Sequence, residues 1–121
     1  MFIDVHCHVD MLEDAGSAIL RARRENVKII VVNGVNPRHN RAILGLAAHY
    51  PEIKPALGMY PIDALALSDN EITEEIEFFR RRAKDFVAIG EIGLDRKEEP
   101  TDFERQKKKL LNCLKVLVLK K

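Results

Sequence analysis

The chain has 121 residues, 46% of them hydrophobic, with 20 Lys and Arg set against 19 Asp and Glu for a formal net charge of +1. These figures suit one soluble unit over residues 1–121 with a modest core, and they exclude a strongly basic surface, so any nucleic-acid contact is local. No run approaches the ~20 apolar residues of a membrane span, and no membrane association is expected. There is no low-complexity segment. Cys7 and Cys113 lie far apart, and no leader-like segment precedes Phe2, so reduced thiols in a cytoplasmic protein are expected.

Short apolar runs alternate with longer amphipathic ones. Residues 2–9 read as a first strand, and about 15–26 as a helix. Val27-Lys28-Ile29-Ile30-Val31-Val32 is a β-branched strand ended by Asn33-Gly34. Asn36 caps a second helix with Pro37 at its first position, and Ile43, Leu46, Ala47 and Tyr50 share one face. After Pro51, residues 53–57 form a third strand ended by Gly58. Ser68 with Glu71 makes a capping box for a helix whose stripe is Ile72, Ile76, Phe79 and Ala83. Residues 86–89 form a fourth strand ended by Gly90. Thr101 with Glu104 is a second capping box, opening a helix with Leu110, Leu111, Leu114 and Leu117 on one side. Val116 to Leu119 either finishes that helix or begins a fifth strand.

Four β-α units in a row imply an α/β fold with parallel strands and right-handed crossovers. In such a fold all strand C-termini point to one end, and that is where ligands bind. Three stretches sit at those ends: His6-Cys7-His8, Gly58-Met59-Tyr60-Pro61, and Gly90-Glu91-Ile92-Gly93-Leu94-Asp95. Strand alternation puts Asp4, His6 and His8 on one face and Val5, Cys7 and Val9 on the other. Two imidazoles at a strand end either share a metal ion or hydrogen-bond locally. Asp4 is placed to orient an imidazole. Glu91 follows an apolar strand directly, where an unpaired carboxylate costs several kcal/mol, so a metal or a basic partner is required. Asp95 is a group supporting the site, a helix-start residue, a base, or a solvated loop acid. His39 and His49 read as surface or capping residues. Arg80-Arg81-Arg82 reads as a solvated face paired with Glu74, Glu75 and Glu77, and Cys7 as a small core residue.

Ile3-Asp4-Val5-His6-Cys7-His8 and Ala88-Ile89-Gly90-Glu91-Ile92-Gly93-Leu94-Asp95 resemble the TatD-related metal-dependent hydrolases in order, spacing and placement, and the likeness runs to about Gln106. The resemblance implies a (β/α)₈ TIM-barrel type, of which this chain holds the first four β-α units as an open half-barrel, with residues after about 106 departing from the family pattern. It implies a deoxyribonuclease acting on phosphodiester bonds of DNA through one or two divalent ions (zinc, magnesium or manganese). By position, His6, His8 and Glu91 are the metal ligands and Asp4 supports them. Glu91, bridging to a second ion, and Asp95 carry catalysis, and Tyr60 contacts substrate. Tyr60 stands where the family usually has His, and a phenol can donate a hydrogen bond to a phosphate. A full barrel takes roughly 250 residues, so the chain is expected to be truncated, and either to associate with itself or to await a C-terminal half. The alternatives are an inactive remnant or a self-associating half-barrel without catalysis, and an amidohydrolase-like activity on a non-nucleic substrate.

Overall fold

A computed structural model describes residues 1–118, with side chains as far as Leu114. The strands are β1 (Phe2–Cys7), β2 (Val27–Asn33), β3 (Ile53–Gly58) and β4 (Ala88–Gly90); the helices are α1 (Ala15–Arg24), α2 (Pro37–His49), α3 (Pro61–Ala66), α4 (Asp69–Arg81) and α5 (Phe103–Val118). A 3₁₀ turn, Val9–Met11, links β1 to α1. The strands pair in chain order, all parallel, as helical crossovers require. The segment through Val118 is helix. Leu119 lies outside the described residues, as does the expected role of the Leu117 side chain.

Local chemistry sets most element starts. Asp14 caps α1 by accepting the Ser17 N–H at 2.9 Å, and Ser17, through its hydroxyl first and its N–H second, holds the Asp14 carboxyl below the usual range. Asn36 caps α2 through the His39 N–H, with Pro37 at the first turn. The Ser68–Glu71 capping box forms in both directions. The Thr101 box does not: its hydroxyl and N–H turn back to Glu99, and α5 starts at Phe103.

One core lies between the sheet and α1 and α2, with Ile19, Ile30, Val32, Ile43 and Ile53 at its centre. A second joins Met59, Ala64, Ile72, Ile76 and Cys113 beneath α3, α4 and α5. Two expectations give way here. Ala83 lies beyond α4 and is exposed. On α5 the inward face is Gln106, Lys109 and Cys113, while Leu111 and Leu114 are exposed. Lys109 reaches across to the Leu67 carbonyl and Asp69, so its charge is paired while its stem packs. The short helix α3 was not foreseen; Pro61 starts it directly behind Tyr60.

Register decides which strand residues face the site. The β1–β2 ladder shifts between Asp4 and Cys7, which pair with Ile30 and Val32. Paired residues of parallel strands share a face, and Ile30 and Val32 pack on the helices. Asp4 and Cys7 therefore both lie on the helix side, lining one groove with Ala18 and Ala22. The irregularity breaks strict alternation, and His8, beyond the strand, lines that same groove, so a simple alternation of faces does not hold from Asp4 to His8.

Candidate metal centre

The C-terminal ends of β1 and β4 bring His6, His8 and Glu91 together, though β2 and β3 lie between those strands in the sheet order. His6 Nε2 lies 2.7 Å from Glu91 Oε1, and His8 Nε2 lies 3.6 Å from the same oxygen. The two imidazoles meet edge to face at 5.2 Å. One ligand atom from each of the three residues falls within 4.8 Å of the others.

His8 Nδ1 lies 2.8 Å from the Asn33 carbonyl. A carbonyl only accepts, so Nδ1 carries the proton and Nε2 of the neutral ring keeps its lone pair toward Glu91. Tetrahedral ligands ~2.0–2.1 Å from zinc stand about 3.3 Å apart. The two separations from Glu91 straddle that value, so small side-chain rotations suffice, and the donor set fits a divalent cation of intermediate softness.

Glu91 is aimed by backbone conformation. Ala88 and Gly90 face inward, where Gly90 lies against Asn33 and Ala56, so simple alternation would send Glu91 to the helix side. Instead Glu91 adopts φ 45°, a left-handed conformation costing a non-glycine residue about 1–2 kcal/mol. The turn ends β4 and delivers the carboxylate to the histidines. The flanking glycines do not make this turn: Gly90 serves close packing and Gly93 is uncrowded, and neither has a positive φ.

Asp4 Oδ1 accepts the His6 backbone N–H at 3.1 Å and bonds no imidazole, so it supports the His6 main chain. Tyr60 and Asp95 form a pair of their own. The Tyr60 hydroxyl donates to Asp95 Oδ2 at 2.8 Å, while Asp95 Oδ1 accepts the Lys97 and Glu98 N–H groups, each at 3.0 Å. Buried Gln106 holds the Asp95 backbone at both N–H and C=O. The bonds from the Glu98 N–H, the Tyr60 hydroxyl and the Lys97 N–H keep the Asp95 carboxyl below its ordinary range, and the bond to Asp95 pushes the Tyr60 phenol up to about 12. The pair's contribution is therefore whole below pH about 10 and is lost as pH rises through about 12. Ultraviolet titration of the protein against Tyr60→Phe is expected to show a phenolate transition near that upper value, absent from the variant. Tyr60, Glu91 and Asp95 line one open cleft of about 250 Å³.

Sequence reasoning missed the buried support behind the site. Asn40, fully buried, accepts the Gly58 N–H at 3.0 Å and donates to the Gly58 carbonyl at 2.9 Å and to Glu75 at 2.7 Å. Glu75 is buried and paired with Arg41, which stacks on Phe78 at 3.6 Å. The expected solvated pairing of Glu75 along its own helix is thus replaced by partners on α2. Its position one residue before Ile76, on the apolar side of α4, was the available signal. Asn40→Ala leaves Glu75 and both Gly58 groups short of partners, each costing about 1–3 kcal/mol. Urea denaturation is expected to show a loss of about 3 kcal/mol or more.

His39 also departs from its surface reading. Its Nδ1 lies 2.6 Å from Oδ2 of Asp10, whose carboxylate is fully buried directly after the 3₁₀ turn begins. His49 is exposed and bonds the Gly45 carbonyl. Cys7 is half-buried, and burial pushes its thiol up, as befits a packing residue. No helix among the described residues is long and apolar enough to cross a membrane.

Comparison with known proteins places this arrangement. A family model described as TatD related DNase matches residues 3–116. The chain is 34% identical over 108 residues to the uncharacterized metal-dependent hydrolase YjjV of Escherichia coli (strain K12), spanning 87% of this chain and 42% of that protein. It is 31% identical over 103 residues to the putative deoxyribonuclease tatdn3 of Danio rerio, spanning 78% and 39%. The crystal structure of YjjV superposes with a TM-score of 0.81 at 34% identity, over 95% of this chain and 46% of that one. The chain thus spans about two-fifths of the length of these curated relatives, and its four-stranded sheet is one half of their barrel fold.

Proposed function

The chain belongs to the TatD related DNase family of metal-dependent hydrolases, and on that premise we propose that it hydrolyses phosphodiester bonds of DNA with one or two divalent ions held by His6, His8 and Glu91. The observation that carries this reading is the convergence of these three side chains within 4.8 Å at the strand ends. A bound divalent ion supplies a Lewis acid for a phosphoryl oxygen and makes its bound water acidic enough to act as nucleophile near neutral pH.

The chain's own residues supply the rest. The Asn33 carbonyl fixes the His8 tautomer. Asp4 holds the His6 main chain. Glu91 brings the negative charge that raises cation affinity and, with Tyr60 and Asp95, walls a cleft beside the histidines for the part of the substrate next to the scissile group. Three protein ligands leave a position for water or substrate, the pattern of catalytic rather than structural sites. In this reading further ligands come from strands corresponding to the uncovered part of the relatives. They would approach along the β1 and β4 edges from a C-terminal half; a second copy carries the same four strands and could cover those edges without supplying the ligands, and light scattering distinguishes an associated chain from a monomer.

The test is elemental analysis of the purified chain beside a His6→Ala/His8→Ala/Glu91→Ala variant, followed by cleavage assays on DNA with added zinc, manganese or magnesium. Metal retained by the parent only, with cleavage abolished by chelation, is the expected result. Metal binding with hydrolysis of a simple phosphoester but not of DNA would favour the non-nucleic substrate. Metal binding with no hydrolysis would leave a binding half-site.

A further inference from the structure

We propose that the Tyr60–Asp95 wall selects a substrate group that brings a hydrogen-bond donor, a hydroxyl or an amine, rather than a phosphate oxygen. The inference deepens the nucleotide reading above and rests on it.

The argument is an inventory of protons. A tyrosine hydroxyl has one proton to give and two lone pairs to offer. Tyr60 gives its proton to Asp95 Oδ2 at 2.8 Å. Asp95 does not release it readily, because its other oxygen is held by two N–H groups at 3.0 Å and its main chain is clipped to buried Gln106. The carboxylate is thus fixed in place and charged. The cleft between this pair and the metal ligands is lined by Tyr60, Pro61, Glu91, Ile92, Leu94 and Asp95. Of these side chains, two are carboxylates, three are apolar, and the phenol has no proton left to give. Every polar side chain on the wall is an acceptor. A phosphate carries acceptors and negative charge, so it finds no side-chain donor there and meets two carboxylates. A hydroxyl or amine beside the scissile phosphate donates to the phenol oxygen, while the phosphate itself goes to the histidine side.

Asp95 also dictates what a variant must do. Its Oδ1 position has to accept from two N–H groups, so in Asp95→Asn the amide oxygen takes that place and the amide nitrogen faces Tyr60. The nitrogen then donates to the phenol oxygen, and the phenol proton is released into the cleft. The wall turns from acceptor to donor.

Two measurements test this on the intact chain in excess zinc chloride. First, calorimetry compares thymidine 5′-monophosphate with its 3′-deoxy analogue, which lacks a single hydroxyl. The parent is expected to favour the hydroxyl-bearing nucleotide about fivefold to tenfold, and Tyr60→Phe to bring the ratio to about one without weakening the analogue. Second, inorganic phosphate is expected to bind Asp95→Asn about fivefold more tightly than the parent through the freed hydroxyl, a gain absent from Tyr60→Phe/Asp95→Asn, which carries the same charge change. Equal binding of the two nucleotides by the parent, or a phosphate gain that persists in the double variant, overturns the inference and leaves the nucleotide reading standing. Failure of both nucleotides to bind a metal-loaded chain overturns that reading, and with it the choice of ligand made here.

Discussion

His8→Ala is expected to lower affinity for zinc or manganese by about a hundredfold or more, since even the partners that orient a ligand are worth about 10–100-fold. His8 is the most constrained of the three proposed ligands. Its ring is fixed by the Asn33 carbonyl, and its side chain is 32% exposed against 54% for His6. A pre-oriented ligand loses less freedom on binding a cation, so its removal forfeits more. Glu91→Gln tests the charge separately: it keeps the shape and one acceptor oxygen but removes the anion, so it is expected to weaken metal binding while leaving the fold intact. Competition with a chromophoric chelator reads both affinities, and circular dichroism checks the fold. Parent-like affinity in His8→Ala would remove this centre from consideration and with it the proposed hydrolysis.

Gly58→Ala is expected to be the most disruptive single methyl in the described chain. A Cβ at Gly58 would stand 2.1 Å from the Gly90 carbonyl oxygen and 2.3 Å from that of Gly34. Both are main-chain atoms of neighbouring strand ends, so no rotamer change relieves the clash, and the strands themselves must part. Overpacking typically costs about 1–3 kcal/mol where side chains can yield; here they cannot, and a larger loss is expected. The displacement falls on the Asn40 clamp on one side and on Gly90, next to Glu91, on the other. Denaturation should therefore show a large loss of stability, and metal affinity should fall with it. Gly45→Ala is the control: a Cβ there has nothing within 4 Å, sits inside α2, and is expected to stabilise by up to about 1 kcal/mol. Similar behaviour of the two variants would contradict the close strand packing.

Much of this architecture is local and was legible as such. The β-branched run at residues 27–32, the Asn36-Pro37 start and the Ser68–Glu71 box depend on neighbours within four residues, and each forms as its pattern predicts. The parallel order follows from the alternation of strands and helices, and it gathers the strand ends at one face. That placement, with the spacing of the two histidines and the glutamate, made the convergence of His6, His8 and Glu91 readable before any coordinate.

What the sequence determined alone, then, is the four strands and the longer helices, their order, and which strand ends carry ligand-type residues, because periodicity and most caps are written in adjacent residues; the short helix α3 was not among them. What only the tertiary structure decided are the partners. The Asn40–Gly58 clamp spans 18 residues, the Asp10–His39 pair 29, and the Tyr60–Asp95 bond 35. The β1 irregularity that turns Asp4 to the helix side depends on register against β2. The left-handed turn at Glu91 goes against that residue's own preference. In each case a local tendency, whether alternation, solvation of a charge or an ordinary φ, is outweighed by burial and hydrogen bonding to groups distant in sequence, and no window of neighbouring residues contains that information.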